Sequence, residues 1–432
     1  MAMAEGRTWS KAEIEAFLAA EDLKYQKITL PHGLSTPGAD RKEVCEIAFA
    51  GGITGKTVLD IGSYLGYFCF EALERGAAAA TGLEVDPGKL RQARTLAEIK
   101  GLNAEFVMDD IETKALDRRY DIVLCLNVLH HLFNPIGVLH KLAEATRDRL
   151  VLEVASLNPR DARKLGVGAL TRQLIGKLPV VFIGRGVPSF KSQGEVQKYF
   201  FTPAAVLRIL GSQRALFSRI EIVPSSHKQR FIVVATRRRI GTLVIVSGPT
   251  SSGKSTFLKR IGDGQLPPEL AAELPSSSRN WPMTGAGQLL QTQHTATPSL
   301  PPHDLEGAVL HYDFLRPFAT GCQEYPRDQA LDLIACAEKV VVVVLKPDME
   351  RLSRQLHDNE IAVKPDKGLL YKLASKAGLR RKKRHRQLAQ LYAQAGWVDG
   401  WYGRWNDFIR STAPGAKVIT VDESWYGSVP KA

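Results

Sequence analysis

The chain has 432 residues, which is too long for one ordinary core and predicts two domains. Its content of 44% hydrophobic and 24% charged residues is typical of a globular protein. Its formal net charge of +13 favours polyanionic partners such as nucleotides, phosphorylated glycans or nucleic acid, without choosing among them. No apolar run reaches the ~18 residues of a membrane span, and the N-terminus lacks the apolar core of a signal peptide.

Cysteine usage points to a reducing compartment. The five cysteines are widely spread and form no C-x-x-C pair, so we expect neither a disulfide framework nor a zinc site. Together with the missing signal peptide, this pattern predicts a cytoplasmic protein.

The first predicted element is a helix over Lys11–Ala20. Ser10 and Glu13 have the spacing of a capping box, in which each side chain satisfies a backbone N–H of the first turn. The stretch that follows, residues 25–41, is rich in proline and glycine and is predicted to be irregular. We therefore assign residues 1–40 to an N-terminal helix and a segment that leads into the first domain.

The first domain is organised around residues 58–86. Residues 58–61 predict a buried strand, residues 67–75 a helix, and residues 77–85 a second strand. A strand–helix–strand unit of this length predicts two parallel strands joined by a crossover.

Between the first strand and the helix lies the pattern Asp60-x-Gly62-x-x-x-Gly66. Glycines let backbone amides approach a ligand closely, and the helix N-terminus adds a positive dipole. Glu84, at the end of the second strand, can accept hydrogen bonds from a ribose diol. The spacing differs from the G-x-G-x-x-G of dinucleotide sites and resembles motif I of the class I S-adenosylmethionine-dependent methyltransferases. Glycines that merely turn the chain are the alternative interpretation.

The next helix and strand lead to a pair of acids. Pro87–Lys100 predicts a helix, and residues 104–108 predict a third strand that ends at Asp109 and Asp110. In the family that the motif resembles, an acid at this point hydrogen-bonds the adenine amino group. The resemblance favours Asp110 for this role and leaves Asp109 as the alternative.

A fourth predicted strand, residues 121–126, is followed by Asn127 and His131. The resemblance implies that this segment lines the cofactor, with Asn127 as a binding residue, and reaches the substrate, where His131 is the candidate proton acceptor. A structural histidine is the alternative. Residues 20–235 as a whole are similar to the wobble-uridine tRNA methyltransferase-like group, whose relatives modify tRNA, small molecules or sugars.

The remainder of the first domain, assigned to residues 41–238, is predicted from apolar runs and turn signals. Residues 157–195 are basic and contain glycine, and are predicted to form an insertion over the active site. The other predicted elements are strands at 150–154, 220–223 and 231–235 and a helix at 204–210.

A second nucleotide site is predicted at the start of the second domain, residues 239–432. Residues 242–246 predict a strand and residues 256–261 a helix, and the segment between them matches G-x-x-x-x-G-K-[ST] in full. This phosphate-binding loop predicts ATP as a ligand and a P-loop kinase-like domain, with a loop that binds nucleotide without turnover as the alternative.

Each residue of that loop has a predicted role. Backbone amides from Gly248 to Gly253 wrap the phosphates, and Lys254 neutralises the outer ones. Ser255 holds Mg²⁺, and Thr256 opens the helix beside the phosphates.

Residues 308–313 predict a strand that ends in an acid, Asp313. In P-loop kinases an acid at such a strand end coordinates Mg²⁺ or accepts the proton of the acceptor hydroxyl, so Asp313 is the candidate for both roles. The basic run at residues 380–386 is placed like the lid of a kinase, with a solvated helix face or nucleic-acid contact as alternatives.

The last predicted elements are a buried parallel strand at 339–345, a core helix carrying aromatic residues between 397 and 408, and a strand at 416–421.

Because strands and helices alternate in both halves, we predict two doubly wound α/β domains, a Rossmann-like methyltransferase followed by a P-loop domain, with parallel sheets and ligands at the carboxyl ends of the strands. The predicted protein is bifunctional: it transfers methyl groups from S-adenosylmethionine, preferably to an oxygen of a sugar, glycan or other small acceptor, and phosphoryl groups from ATP. A tRNA-modifying enzyme and a methyltransferase with a regulatory nucleotide sensor are the alternatives. The sequence does not determine the oligomeric state.

Overall fold

The computed structural model describes residues 8–185, 197–213, 216–227, 229–284, 293–294, 304–312, 329–354, 389–422 and 425. They divide into two compact units: the first runs to Arg238 and includes Gln293–His294, and the second begins at Arg239. The functional assignment of residues 1–40, 41–238 and 239–432 stays a prediction.

The first unit is built on an eight-stranded sheet. Numbered along the chain, its strands are β1 (Thr57–Ile61), β2 (Ala79–Glu84), β3 (Glu105–Met108), β4 (Tyr120–Leu126), β5 (Thr146–Ala155), β8 (Phe217–Pro224), β9 (Arg230–Arg237) and β12 (Gln293–His294). A separate antiparallel ribbon consists of β6 (Val181–Arg185) and β7 (Gln197–Phe201). The helices are α1 (Lys11–Ala20), α2 (Lys42–Ala48), α3 (Tyr67–Glu74), α4 (Pro87–Lys100), α5 (Pro135–Ala145), α6 (Pro159–Lys164), α7 (Ala169–Ile175) and α8 (Pro203–Gln213).

The strand order of this sheet is β3-β2-β1-β4-β5-β9-β8-β12. The first five are parallel, as strands joined by helical crossovers must be. The prediction of a parallel sheet is wrong for the closing strands, because β9 runs antiparallel to both β5 and β8. Only residues 225–229 separate β8 from β9, which is too short for a crossover and long enough for a hairpin.

The N-terminal helix α1 is part of the first core. Its capping box is formed: the Ser10 hydroxyl accepts from the Glu13 backbone N–H at 3.3 Å, and the Glu13 carboxylate accepts from the Ser10 N–H at 2.8 Å. Ile14 is fully buried and belongs to the same apolar cluster as Val58 of β1 and Phe70 of α3. The helix and the segment after it are therefore held by the domain that they precede.

The second unit is built on a five-stranded sheet. Its strands are β10 (Arg239–Ser247), β11 (Met283–Thr284), β13 (Asp304–His311), β14 (Ala337–Lys346) and β15 (Lys417–Asp422), in the order β11-β13-β10-β14-β15. All pairings are parallel, as the buried apolar runs predict. The principal helices are α9 (Lys254–Gly262), α10 (Pro268–Ala271), α11 (Gln329–Cys336) and α12 (Trp397–Thr412).

The aromatic residues of α12 form core, as predicted, and not an exposed stacking platform. Trp401, Trp405 and Phe408 are each at most 1% exposed. The rings of Trp401 and Trp405 stack at 6.0 Å, and those of Trp405 and Phe408 stack at 5.5 Å. Among the described residues, no helix combines the length and the apolar character that crossing a membrane requires.

Candidate cofactor sites

A cleft of about 400 Å³ opens at the carboxyl ends of β1, β2 and β4. This volume lies within the roughly 300–1,000 Å³ of small-molecule sites, and the edge is the one at which parallel α/β sheets bind ligands. Four of the predicted site residues line the cleft: Gly62, Glu84, Asn127 and His131.

The two glycines of the first loop are required by its shape. Gly62 has a φ of +68°, and a Cβ there would lie 2.6 Å from Cγ2 of Val128. Gly66 has a φ of +88° and caps α3, and its Cβ would lie 2.5 Å from the ring of Phe106. Gly62 therefore lets the loop wall the cleft, whereas Gly66 does not line the cleft and shapes the start of the helix.

Glu84 ties the end of β2 to this loop. One carboxylate oxygen accepts from the backbone N–H of Tyr64 at 2.9 Å, and the other accepts from Val85 and Asp86 at 2.8 and 3.0 Å. Because two carboxylate oxygens offer about four acceptor positions, the group can still accept from a ligand hydroxyl. The side chain is thus fixed in the cleft wall at the position where a diol acceptor was predicted.

Asp60 lies behind the cleft wall, not in it. The residue is 2% exposed, and its Oδ2 atom has no hydrogen-bond partner among the described residues. Burial, and next the charge of Glu84, raise the pKa of Asp60 to about 8, against the opposing effect of Arg41. Burial therefore favours the protonated, uncharged carboxyl at neutral pH.

Of the two acids after β3, the structure brings Asp109 to the cleft. Its carboxylate accepts from Lys114 Nζ at 2.6 Å and from the Asp110 N–H at 2.8 Å, and the Lys114 hydrogen bond is the main reason that the pKa of Asp109 is lowered. Asp110 instead accepts from the Glu112 N–H at 3.0 Å and does not line the cleft. Its carboxylate shapes the turn after the strand.

Asn127 and His131 follow β4. Asn127 has a φ of +65°; its N–H donates to the Glu153 carbonyl at 2.8 Å, and its side-chain amide donates to the Tyr25 hydroxyl at 3.1 Å. His131 ends the 3₁₀ turn Leu129–His131, with its ring centroid 3.8 Å from that of His130. This turn brings an imidazole to the cleft.

Both imidazoles are neutral at neutral pH. Burial lowers the pKa of His131, and the charges of Lys198 and Arg230 lower it further. Burial and the neighbouring His131 lower the pKa of His130 to about 3. A neutral His131 that lines the cleft has the protonation state that a proton acceptor needs.

Sequence reasoning missed the residues that the N-terminal segment contributes. The side-chain oxygen of buried Gln26 accepts from the N–H groups of Leu65 and Tyr67 at 3.2 and 3.4 Å, so it holds the glycine loop from outside. The rings of Tyr25 and Tyr64 meet edge-on at 4.9 Å over the cleft. No local pattern marks these residues, because they reach the motif only when the chain folds back.

Arg41, at the end of the segment predicted to be irregular, is 5% exposed. Its guanidinium donates to a carboxylate oxygen of fully buried Glu153 at 2.7 Å, and Arg230 donates to the same oxygen at 3.1 Å. One carboxylate thus pairs with two guanidinium groups near the end of β5.

The phosphate loop of the second unit also depends on its glycines. A Cβ on Gly248 would lie 2.4 Å from Oγ of Ser252 and 3.1 Å from the Leu345 carbonyl oxygen. Gly253 has a φ of +92°. The buried Ser252 hydroxyl has no hydrogen-bond partner among the described residues. Lys254 is 5% exposed, and its Nζ donates to the carbonyls of Gly248 and Pro249 at 2.7 and 2.8 Å.

Ser255 and Thr256 are exposed in the first turn of α9, at the positive end of the helix dipole. Asp313 and the basic run at 380–386 lie outside the described residues, so their roles stay predictions. Within the part of the chain that the structure describes, no three His, Cys, Asp or Glu side chains are grouped to hold a metal ion.

Comparison with known proteins identifies the class of the first unit. The profile of a family described as "Methyltransferase domain" matches residues 54–176. Ubiquinone biosynthesis O-methyltransferase of Serratia proteamaculans is 35% identical over 100 residues, which are 23% of this chain and 41% of that protein. The protein of the same name from Klebsiella pneumoniae is 33% identical over the same fractions, so this chain spans well under half the length of these relatives.

Among solved structures, the N-terminal domain of EvdMO1, crystallised with SAH and D-fucose, has a TM-score of 0.41 and 20% identity over 54% of this chain and 98% of that one. Magnesium protoporphyrin IX methyltransferase from Synechocystis PCC 6803 has a TM-score of 0.33 and 22% identity, over 45% of this chain and 81% of that one. Residues 54–176 are a methyltransferase domain. Its Asp60-x-Gly62-x-x-x-Gly66 loop resembles motif I of the class I, S-adenosylmethionine-dependent group.

Proposed function

We propose that the first unit binds S-adenosylmethionine in the 400 Å³ cleft and transfers its methyl group to an acceptor oxygen. The observation that carries the proposal is the position of Glu84, fixed by three backbone N–H groups beside the glycine loop and still able to accept a ribose diol.

The other roles follow from the cleft wall. Asp109, which lines the cleft, accepts a hydrogen bond from the adenine amino group in place of the predicted Asp110. Asn127, which lines the cleft after β4, is assigned to the amino-acid end of the cofactor, and buried Asp60 supports this wall from behind. When bound, the cofactor supplies an electrophilic methyl group.

His131 is the proposed base. Its neutral imidazole lines the cleft, so a ring nitrogen is available to take the proton that the acceptor hydroxyl loses as its oxygen gains the methyl group. The O-methyltransferase names of the relatives agree with an oxygen acceptor.

The test is direct. The full chain is incubated with methyl-labelled S-adenosylmethionine and fractionated cell extract, and cofactor binding is measured separately by calorimetry. The proposal expects binding and a labelled product, and the absence of cofactor binding would overturn it.

We further propose that the second unit binds ATP with Mg²⁺ and transfers its γ-phosphoryl group. The support is the glycine-shaped loop between β10 and α9, whose sequence motif assigns phosphate neutralisation to Lys254 and the metal to Ser255. The regulatory sensor remains the competing function, because the predicted acid Asp313 lies outside the described residues. Labelled γ-phosphate supplied with extract separates them: a labelled product indicates a kinase, and binding without transfer indicates a sensor.

A further inference from the structure

A second cleft, of about 550 Å³, lies in the first unit at the end of β5. Ser156 and Leu157, which directly follow that strand, form one part of its wall. Helix α7 supplies another part, and Phe182 of β6 and Phe201 of β7 complete it. The cleft therefore belongs to the insertion that follows β5.

The walls of this second cleft are mainly apolar. Leu157, Phe182 and Phe201 offer large side chains, and Leu170 adds an aliphatic group that is 73% exposed at the mouth. The Thr202 hydroxyl is already occupied, since it donates to the Leu178 carbonyl at 2.6 Å and accepts from the Val180 N–H at 3.1 Å. An apolar wall favours a ligand with an apolar body, because burying unpaired hydroxyl groups against it is costly.

Polar groups are few. Arg172 and Gln173 of α7 line the cleft, together with Ser156. A guanidinium and an amide at one wall can receive a hydrogen-bonding or anionic head group. The combination selects an amphipathic ligand.

The second cleft lies at the same edge of the sheet as the first. Strands β4 and β5 are parallel neighbours with Leu126 paired to Glu153, so their carboxyl ends share one edge of the sheet, about 4.8 Å apart. Strand β7, which carries Phe201, also reaches the His131 turn, since the Tyr199 hydroxyl donates to the Phe133 carbonyl at 3.1 Å. One strand thus borders both the apolar cleft and the proposed base.

We propose that the second cleft receives the methyl acceptor, and that the acceptor is amphipathic, with an apolar body and a hydrogen-bonding or anionic head. The inference rests on the methyl transfer proposed for the first unit. It replaces the sugar acceptor favoured by the sequence, because a sugar would place hydroxyl groups against the apolar wall.

Binding is tested on the full chain with 1-anilinonaphthalene-8-sulfonate, an amphipathic aromatic anion, as the probe. Ala169 lines the cleft from an exposed position on α7, so Ala169→Trp fills the cleft without entering the core. We expect this variant to bind the probe at least ~10-fold more weakly, which is about 1.4 kcal/mol. Ala16→Trp, at an exposed alanine of α1, is the matched control and leaves probe binding unchanged.

A second control separates the cleft from the outer face of the same helix. Leu174 is 63% exposed on α7 and does not line the cleft, so Leu174→Ser leaves probe binding unchanged if the probe sits inside. Unchanged binding to Ala169→Trp, or an equal loss with Leu174→Ser, would overturn the proposed site.

The acceptor class is tested by partition of the labelled product between water and butanol. Label that enters the organic phase with the wild-type protein, and is lost with Ala169→Trp while S-adenosylmethionine binding is kept, supports the inference. Label confined to water, with cofactor binding intact, overturns the inference and leaves methyl transfer standing. If the wild-type protein does not bind S-adenosylmethionine, the proposed function itself is overturned.

Discussion

The two glycine loops of this protein are held in place in different ways. The loop after β1 is fixed by distant side chains: Gln26 binds its amides from the N-terminal segment, and Glu84 binds it from the end of β2. The loop after β10 is crossed by its own Lys254, which donates to two carbonyls five and six residues earlier. From farther along the chain, the Tyr392 hydroxyl also donates to the Thr250 carbonyl at 3.1 Å.

This difference teaches how far each site can be predicted from sequence. A loop that holds itself is specified by a contiguous motif, so the phosphate loop can be recognised in full. When distant residues hold a loop, its glycines specify the backbone turn but not the side chains that bind it. The following changes test this contrast, in order of decreasing expected effect.

The largest effect is expected from Lys254→Ala in the phosphate loop. The change removes the ammonium group that crosses the loop and that is proposed to neutralise the transferred phosphate. We expect phosphoryl transfer to fall at least ~100-fold, the order seen when one charge-stabilising donor is removed, with methyl transfer unchanged. Radiolabelled transfer assays measure both activities, and Lys259→Ala, at an exposed position of α9, is the control. Equal activity of the two variants would contradict the role of Lys254.

Glu84→Ala removes the acceptor proposed for the ribose diol and leaves three backbone N–H groups without their carboxylate. We expect S-adenosylmethionine to bind more weakly by about 1–3 kcal/mol, roughly 5- to 150-fold in affinity. Calorimetry measures the change, with Glu98→Ala at an exposed position of α4 as the control. If the affinity of Glu84→Ala matches that of the control variant, the cleft does not bind the cofactor in this way.

Gln26→Ala tests whether the first loop is held from outside. The side chain is buried and accepts from two backbone N–H groups, so its removal leaves both unpaired. We expect the free energy of unfolding to fall by about 1–3 kcal/mol. Denaturant titration of the full chain measures it, and Gln265→Ala, at an exposed site in the second unit, should have no effect. Stability equal to that of the control would mean that the loop holds itself, as the phosphate loop does.

The last test concerns the pH dependence of stability and Asp60, and its effect per pH unit is the smallest. Burial and the charge of Glu84 raise the pKa of Asp60 to about 8, so the folded protein holds this proton more tightly than the unfolded chain, in which aspartate titrates near ~3.9. The stability that the proton contributes is complete below the unfolded pKa and is lost as pH rises through the folded pKa. The slope for one group is at most ~1.4 kcal/mol per pH unit.

Asp60→Asn carries no titrating proton, so it does not share the wild type's loss of stability with pH. Its free energy of unfolding should rise relative to that of the wild type as pH increases from roughly 5 to 8. Denaturant titrations at several pH values measure the difference. Asp407→Asn, on the exposed face of α12, is the control and should follow the wild type. Parallel pH profiles for Asp60→Asn and wild type would show that the carboxyl is ionised in the folded state.

Local signals in the sequence determined some of the elements and their ends. Helix α1 begins at its Ser10–Glu13 capping box, and α4 begins at Pro87 and ends before Gly101, because caps act within one turn of the chain. The glycines of both loops could also be predicted, since glycine adopts the positive φ angles at Gly62 and Gly253 without strain.

The tertiary structure decided which side chains meet. In the folded chain Asp109 lines the cleft and Asp110 does not. Adjacent residues after a strand point in different directions, and no local pattern says which one faces the ligand edge. The tertiary structure also pairs β9 antiparallel to β5 and places Tyr25 and Gln26 against the first loop. It forms the apolar cleft beside the insertion as well. A motif specifies a backbone shape over a few residues, whereas a binding site is made by residues that are far apart in sequence, so only the folded chain brings these residues together.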